Sequence, residues 1–339
     1  MAERDIAVPA PAAEDSLLRA LIGDGRPFIT LTGLALLLSG VFAFFLSATK
    51  HFLPHDVAYL GMTADALCGL NECRIVHFMI HDRVAFGGAI SAVGVLYLWL
   101  AAFPLRTREP WAWQLLIVSG VIGFGSFLAY LGYGYLDTWH GAATLALLPA
   151  YIAGTWILKS RFPKSPPGAL LRPWRPGPDG LDPRTRLGRT LLIVTAAAIA
   201  LGGLIILSVG VTSVFVPQDL AYMRVTVEEL DAVNPRLVPL IAHDRAGFGG
   251  GVCCCGVMMF FALWCSAPSR HLWEAVTVAG TLGFATAIFI HPAVGYNDAV
   301  HLAPAVLGSV LFVAGVVLSR RGMLIASRAT PRIRSGNEA

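Results

Sequence analysis

Eight stretches of about twenty mostly apolar residues run through this chain, and that length is what a helix needs to cross a lipid bilayer. Their limits are roughly 28–49, 84–104, 112–133, 138–158, 190–213, 246–266, 274–292 and 299–319. Backbone inside lipid must satisfy its own hydrogen bonds, so each stretch is expected to be helical. A membrane barrel would show short segments of alternating polarity instead, and these do not occur. Composition agrees. Of 339 residues, 56% are hydrophobic and 14% charged, and the mean hydropathy is +0.66. A soluble domain carries about 25% charged residues, so a soluble enzyme and a disordered chain are both excluded. The first stretch is too long, and too far from the N-terminus, for a cleaved signal peptide. The expected fold is all-α and integral to the membrane.

Lysine and arginine favour the cytoplasmic ends of spans. With the N-terminus placed inside, nineteen of these residues fall on the inner side and six on the outer. The inner set includes Arg106, Arg108, Arg270, eight residues of the 159–189 linker and five of the tail. This predicts a multi-pass plasma-membrane protein with both termini in the cytoplasm. The linker is rich in proline, glycine and arginine and reads as an irregular connection. No basic surface extends beyond it, so nucleic acid is not an expected partner.

The chain repeats itself. Phe52-Leu53-Pro54-His55-Asp56-Val57-Ala58-Tyr59 matches Phe215-Val216-Pro217-Gln218-Asp219-Leu220-Ala221-Tyr222. His81-Asp82-Arg83 matches His243-Asp244-Arg245, and both are followed by Phe-Gly-Gly. Gly134-Tyr135 to His140 matches Gly295-Tyr296 to His301. The offset stays between 161 and 163 throughout, which chance does not hold across three motifs. Each half has an even number of spans, so two parallel four-helix repeats are expected. The resulting segments are a cytoplasmic stretch 1–27, a first repeat 28–158, the linker 159–189, a second repeat 190–319 and a tail 320–339. The matched pieces after the first and fifth spans should form a short helix or two over the outer face. Thr226 with Glu229 has the spacing of a capping box there.

The histidines carry the chemistry. By this topology eight of nine face outward, and only His271 sits inside. His81, His140, His243 and His301 stand near the outer starts of the even-numbered spans. One interfacial histidine usually just hydrogen-bonds to a loop. Duplicated pairs at matched depth point instead to a metal or haem, because imidazole ligates both and helix bundles build such sites from facing helices. Arg83 and Arg245 can grip haem propionates, or pair with Asp82 and Asp244. Asp137 and Asp298 can orient the imidazoles three residues on, or cap the helices that start there. Gly87, Gly88, Gly249 and Gly250 let a macrocycle, or another helix, approach closely. His51, His55 and His77 belong to the first half alone, with Gln218 and Pro239 at the places matching His55 and His77. The first half is therefore expected to hold the working site, with His77 and His55 as the candidate catalytic residues.

Eight spans, two parallel halves and one histidine near the outer start of each even span resemble the haem A synthase family. The resemblance implies haem b held by His81 with His140, and by His243 with His301. That family also has a cysteine pair in its first outer loop, similar to Cys68 and Cys73. It does not carry over haem A synthesis, since Phe78 stands where that family has a glutamate. Membrane haem-binding oxidoreduction or electron transfer is the leading expectation, with quinol or an outer redox protein as partner. A non-haem transition-metal enzyme and a two-repeat transporter are the alternatives. Cys68 and Cys73 are the candidate disulfide on an oxidising outer face. Cys253, Cys254, Cys255 and Cys265 read as small apolar fillers. Walker loops, dinucleotide fingerprints, HExxH and GxSxG are absent in any suitable context.

Overall fold

A computed structural model describes residues 22–49, 52–135, 138–162, 166–177 and 180–329. Eight of its helices are long and apolar enough to cross a membrane, and no strand occurs among the described residues. The chain is therefore an all-α, multi-pass membrane protein. The first half comprises α1 (Arg26–Thr49), the short α2 (Pro54–Leu60) and α3 (Ala64–Cys68), α4 (Arg74–Ala102), α5 (Pro110–Phe127), α6 (Thr138–Ala142) and α7 (Leu148–Lys159). The π-helical turn Ala143–Leu147 joins α6 and α7 into one span. The second half comprises α8 (Pro183–Val211), the short α9 (Pro217–Met223) and α10 (Val227–Val233), α11 (Leu237–Cys265), α12 (Arg270–Val294) and α13 (Ala299–Ala329).

Local chemistry sets the helix ends. Pro110, Pro183 and Pro217 occupy first helical positions, where a missing N–H costs nothing. The Asp182 side chain caps α8 by accepting from the Thr185 N–H. Thr226 and Glu229 form the expected capping box on α10. Gly295 ends α12 with φ +76°, a left-handed geometry that glycine adopts without strain. The short helices expected over one face are present as α2, α3, α9 and α10.

Two spans differ in extent from the sequence expectation. α4 begins at Arg74, not near 84, and α11 begins at Leu237, not near 246. Each thus carries its His-Asp-Arg triplet inside the helix. Hydropathy misses these turns because their polar groups face one another in the protein interior, and lipid never meets them. α8 likewise starts inside the segment read as linker. Arg189 is buried there and donates to the carbonyls of Leu263 and Ser266.

α4 and α11 form the centre of the bundle. α4 packs on α1, α12 and α11, and α11 packs on α8, α5 and α4. The central helices thus take partners from both halves. Small residues allow the close approach, as membrane helices require. A Cβ added to Gly88 would stand 1.8 Å from the Thr286 hydroxyl oxygen of α12. One added to Gly250 would stand 1.8 Å from the Ser126 hydroxyl oxygen of α5. These glycines therefore serve helix packing. Leu38, Phe45, Val121, Leu201, Phe289 and Val310 lie exposed around the outside. So much uncovered apolar surface fits contact with lipid tails.

Candidate metal centre

The packing faces decide which histidines meet. His81 and Gly88 are seven residues apart on α4 and share a face. Because that face packs on α12, His81 is carried to the last turn of α12 and the first turn of α13. There the ligand-type atoms of His81, His291 and His301 lie within 4.8 Å of one another. His81 Nε2 is 3.2 Å from His291 Nε2. The His301 ring centroid is 5.8 Å from that of His81 and 5.4 Å from that of His291. His81 and His291 are buried and His301 is half-buried.

The same logic operates on α11. His243 and Gly250 share a face, that face packs on α5, and His243 meets His140 with Nε2 atoms 3.0 Å apart. His55 stands edge-on to His140, centroids 6.2 Å apart. The place of His291 is taken here by Tyr130, whose ring lies 5.0 Å from His140. Among the described residues, the His81 group alone brings three imidazoles within ligating range.

A carboxylate orients each central imidazole. His81 Nδ1 lies 3.0 Å from Asp82 Oδ1, and His243 Nδ1 lies 3.1 Å from Asp244 Oδ1. A carboxylate can only accept, so each Nδ1 carries a proton, and in the neutral ring each Nε2 presents a lone pair. Arginine from the opposite half holds the second carboxylate oxygen. Arg245 Nε donates to Asp82 Oδ2 at 3.0 Å and Arg83 Nε donates to Asp244 Oδ2 at 3.0 Å. The other arm of each arginine reaches a short helix. Arg83 Nη1 donates to Asp56 at 2.7 Å and Arg245 Nη1 donates to Asp219 at 2.5 Å.

Tyrosines close the frame. Tyr135 donates to Asp56, and Tyr296 donates to Asp219 Oδ1 at 2.8 Å. Burial works to raise the Asp56 carboxyl, but Arg83, the Tyr135 hydroxyl and His55 outweigh it and hold the group below its ordinary range. Burial and the neighbouring Asp219 carboxylate push the Tyr296 phenol well above its ordinary value. Burial and Asp56 do the same for Tyr135. Both phenols thus stay protonated and donate. Tyr296 also packs on the imidazoles, with its centroid 4.6 Å from His301, 5.4 Å from His81 and 5.7 Å from His291.

Several expectations are redirected by this geometry. The expected pairs were His81 with His140 and His243 with His301. The pairs observed are His81 with His291 and His301, and His243 with His140. The reason is that α4 packs on α12 and α11 packs on α5. The converging group also draws two of its three imidazoles from the second half, not from the first. Arg83 and Arg245 pair with the aspartates weighed as their partners, each reaching across to the other half. Asp298 caps α13, accepting from the His301 N–H at 2.7 Å. His77 lies half-buried one turn before His81, and the three-imidazole group does not include it. His55 stands beside His140 and Asp56. Cys68 and Cys73 are joined as a disulfide. His51 and Asp137 lie outside the described residues.

Sequence reasoning missed His291, Asp56, Asp219, Tyr135 and Tyr296 as parts of the site. Four of these sit in the matched motifs, where their repetition was a usable signal. His291 gave none, because its counterpart is Tyr130. No protein-family model, curated protein or solved structure matches the chain.

Proposed function

We propose that this chain is a metal-dependent membrane enzyme that holds a non-haem transition-metal ion on His81, His291 and His301. The observation that carries the reading is the convergence of three imidazoles within 4.8 Å of one another. Spacing supports a compact ion over haem. With metal–nitrogen bonds of about 2.0–2.1 Å, neighbouring ligands of one ion stand about 2.9–3.4 Å apart, while ligands on opposite faces of a haem stand about 4 Å apart. The Nε2 atoms of His81 and His291 are 3.2 Å apart. The rings of Phe78 and Tyr296 also flank His81, with centroids 6.3 Å and 5.4 Å from its own.

A carboxylate on the far nitrogen of a ligating histidine is a recurrent feature of metal sites, where it fixes the tautomer and raises basicity. Asp82 supplies it for His81. The bound ion would contribute Lewis-acid or electron-exchange chemistry. The chain's own residues bind it, orient His81 through Asp82 and Arg245, and surround it with protein. In this reading the histidine end faces outward, both termini are cytoplasmic and the membrane is the plasma membrane. The charge bias of the loops supports that orientation. A quinol or an outer redox protein is the natural electron partner if the ion cycles between oxidation states.

Elemental analysis and an absorbance spectrum of the purified protein test the reading. The expected result is a transition metal bound in the wild type and lost in His81→Ala and His301→Ala, with no Soret band. A Soret band would replace the ion with haem. Metal-free protein from metal-replete cells would remove the centre altogether.

A further inference from the structure

A cleft of about 560 Å³ opens at the histidine end between α9 and the turn joining α12 to α13. Gln218, Ala221, Tyr222, Tyr296, Asn297 and Asp298 line it. Tyr296 is the wall it shares with the centre. One side of this residue forms the cleft, and its ring lies within 5.7 Å of all three imidazole centroids. Tyr222 stacks behind it, centroids 4.5 Å apart, and Asp219 holds its hydroxyl. We propose that this cleft is the substrate site of the metal centre, reached past Tyr296, and that it takes a small polar molecule that is neutral or cationic. The proposal rests on the reading that His81, His291 and His301 hold a metal.

The lining sets the ligand class. It offers two carboxamides, one carboxylate and two tyrosine rings whose hydroxyls already donate to the Val294 carbonyl and Asp219, with no lysine or arginine. The N-terminus of α13 also faces this region and would by itself favour an anion. Asp298 already occupies it through the His301 N–H. An anionic substrate would therefore meet a carboxylate with no lysine or arginine in the lining to offset it. The carboxamides both donate and accept, which suits hydroxyl, amide or amine groups. A cleft of this size falls in the range of small-molecule sites. The first half is built differently at the matched place: His55 replaces Gln218 and turns its ring to Tyr135 and His140.

Cobalt(II)-loaded protein tests this with free imidazole as a neutral probe, its binding read from the visible cobalt spectrum. Ala221→Cys places a thiol on an exposed lining residue, and Ala58→Cys places one at the matched position of the first half. Labelling each with a bulky methanethiosulfonate should slow imidazole binding at least tenfold in Ala221→Cys and leave Ala58→Cys unchanged. Gln218→Cys serves as a second labelling site should Ala221→Cys fail to fold. Azide should bind more weakly than imidazole, and Tyr296→Ala should bind imidazole faster. Unchanged rates after labelling at position 221 or 218, or equal slowing at position 58, would overturn the cleft while leaving the metal centre standing. Failure to take up cobalt would overturn the centre, and the cleft's role with it.

Discussion

Asp82 determines which nitrogen His81 presents. Replacing it with asparagine removes the obligate acceptor at Nδ1 and releases the tautomer. Metal affinity in Asp82→Asn is expected to fall about 10–100-fold, the usual effect of losing such a partner, as measured by competition with a chromogenic chelator. Arg245 has a different burden. It is buried and neutralises both Asp82 and Asp219. Arg245→Met should lower stability by about 3–5 kcal/mol, because two buried carboxylates lose their cation; denaturation in detergent measures this. Asp56 predicts a pH response. Its folded carboxyl is held below the ordinary 3.8. Its stabilisation is therefore fully present above that value and is lost as pH falls through the lower folded one. Melting temperature should begin to drop below about pH 4, and Asp56→Asn should flatten that part of the profile.

At the scale of elements, α4 and α11 are positioned by glycine. A larger residue at position 88 or 250 meets a hydroxyl on the facing helix far inside van der Waals contact. Gly88→Leu should therefore push α4 from α12 and separate His81 from His291. Metal content should fall together with melting temperature, whereas Gly132→Ala, at a position with open space around it, should change neither. The disulfide is a second element-level device. It ties the end of α3 to the residue that precedes α4. Thiol titration of denatured protein should find the four cysteines Cys253, Cys254, Cys255 and Cys265 before reduction and all six after it. The cores of the spans were legible because twenty apolar residues in a row permit little else. The starts of α4 and α11 were not, since a turn such as His77–Arg83 looks polar until its partners are known. The choice of partner was equally hidden. Matched motifs reveal which residues correspond, yet two helices with equivalent sequences can each pack on a neighbour from either half. His81 and His140 were identifiable as ligand types from their repetition, and His291 was not, because the repeat has a tyrosine there.

For the whole molecule, the three-imidazole group forms only when both halves are present. His81 comes from the first and His291 and His301 from the second. Two fragments divided within 172–177 and expressed separately should each fail to bind metal, and their co-expression should restore binding, read by elemental analysis of the co-purified pair. The Arg–Asp frame carries one more consequence. Four carboxylates, on Asp56, Asp82, Asp219 and Asp244, are joined to only two guanidiniums, on Arg83 and Arg245. Two negative charges are left over, enclosed in protein where an unbalanced charge is costly. One leftover charge belongs to each arginine, and a cation bound at His81, His291 and His301 would offset the one shared by Asp82 and Asp219. The frame would thus favour a cation over a neutral or anionic guest at the histidines before coordination geometry has any say.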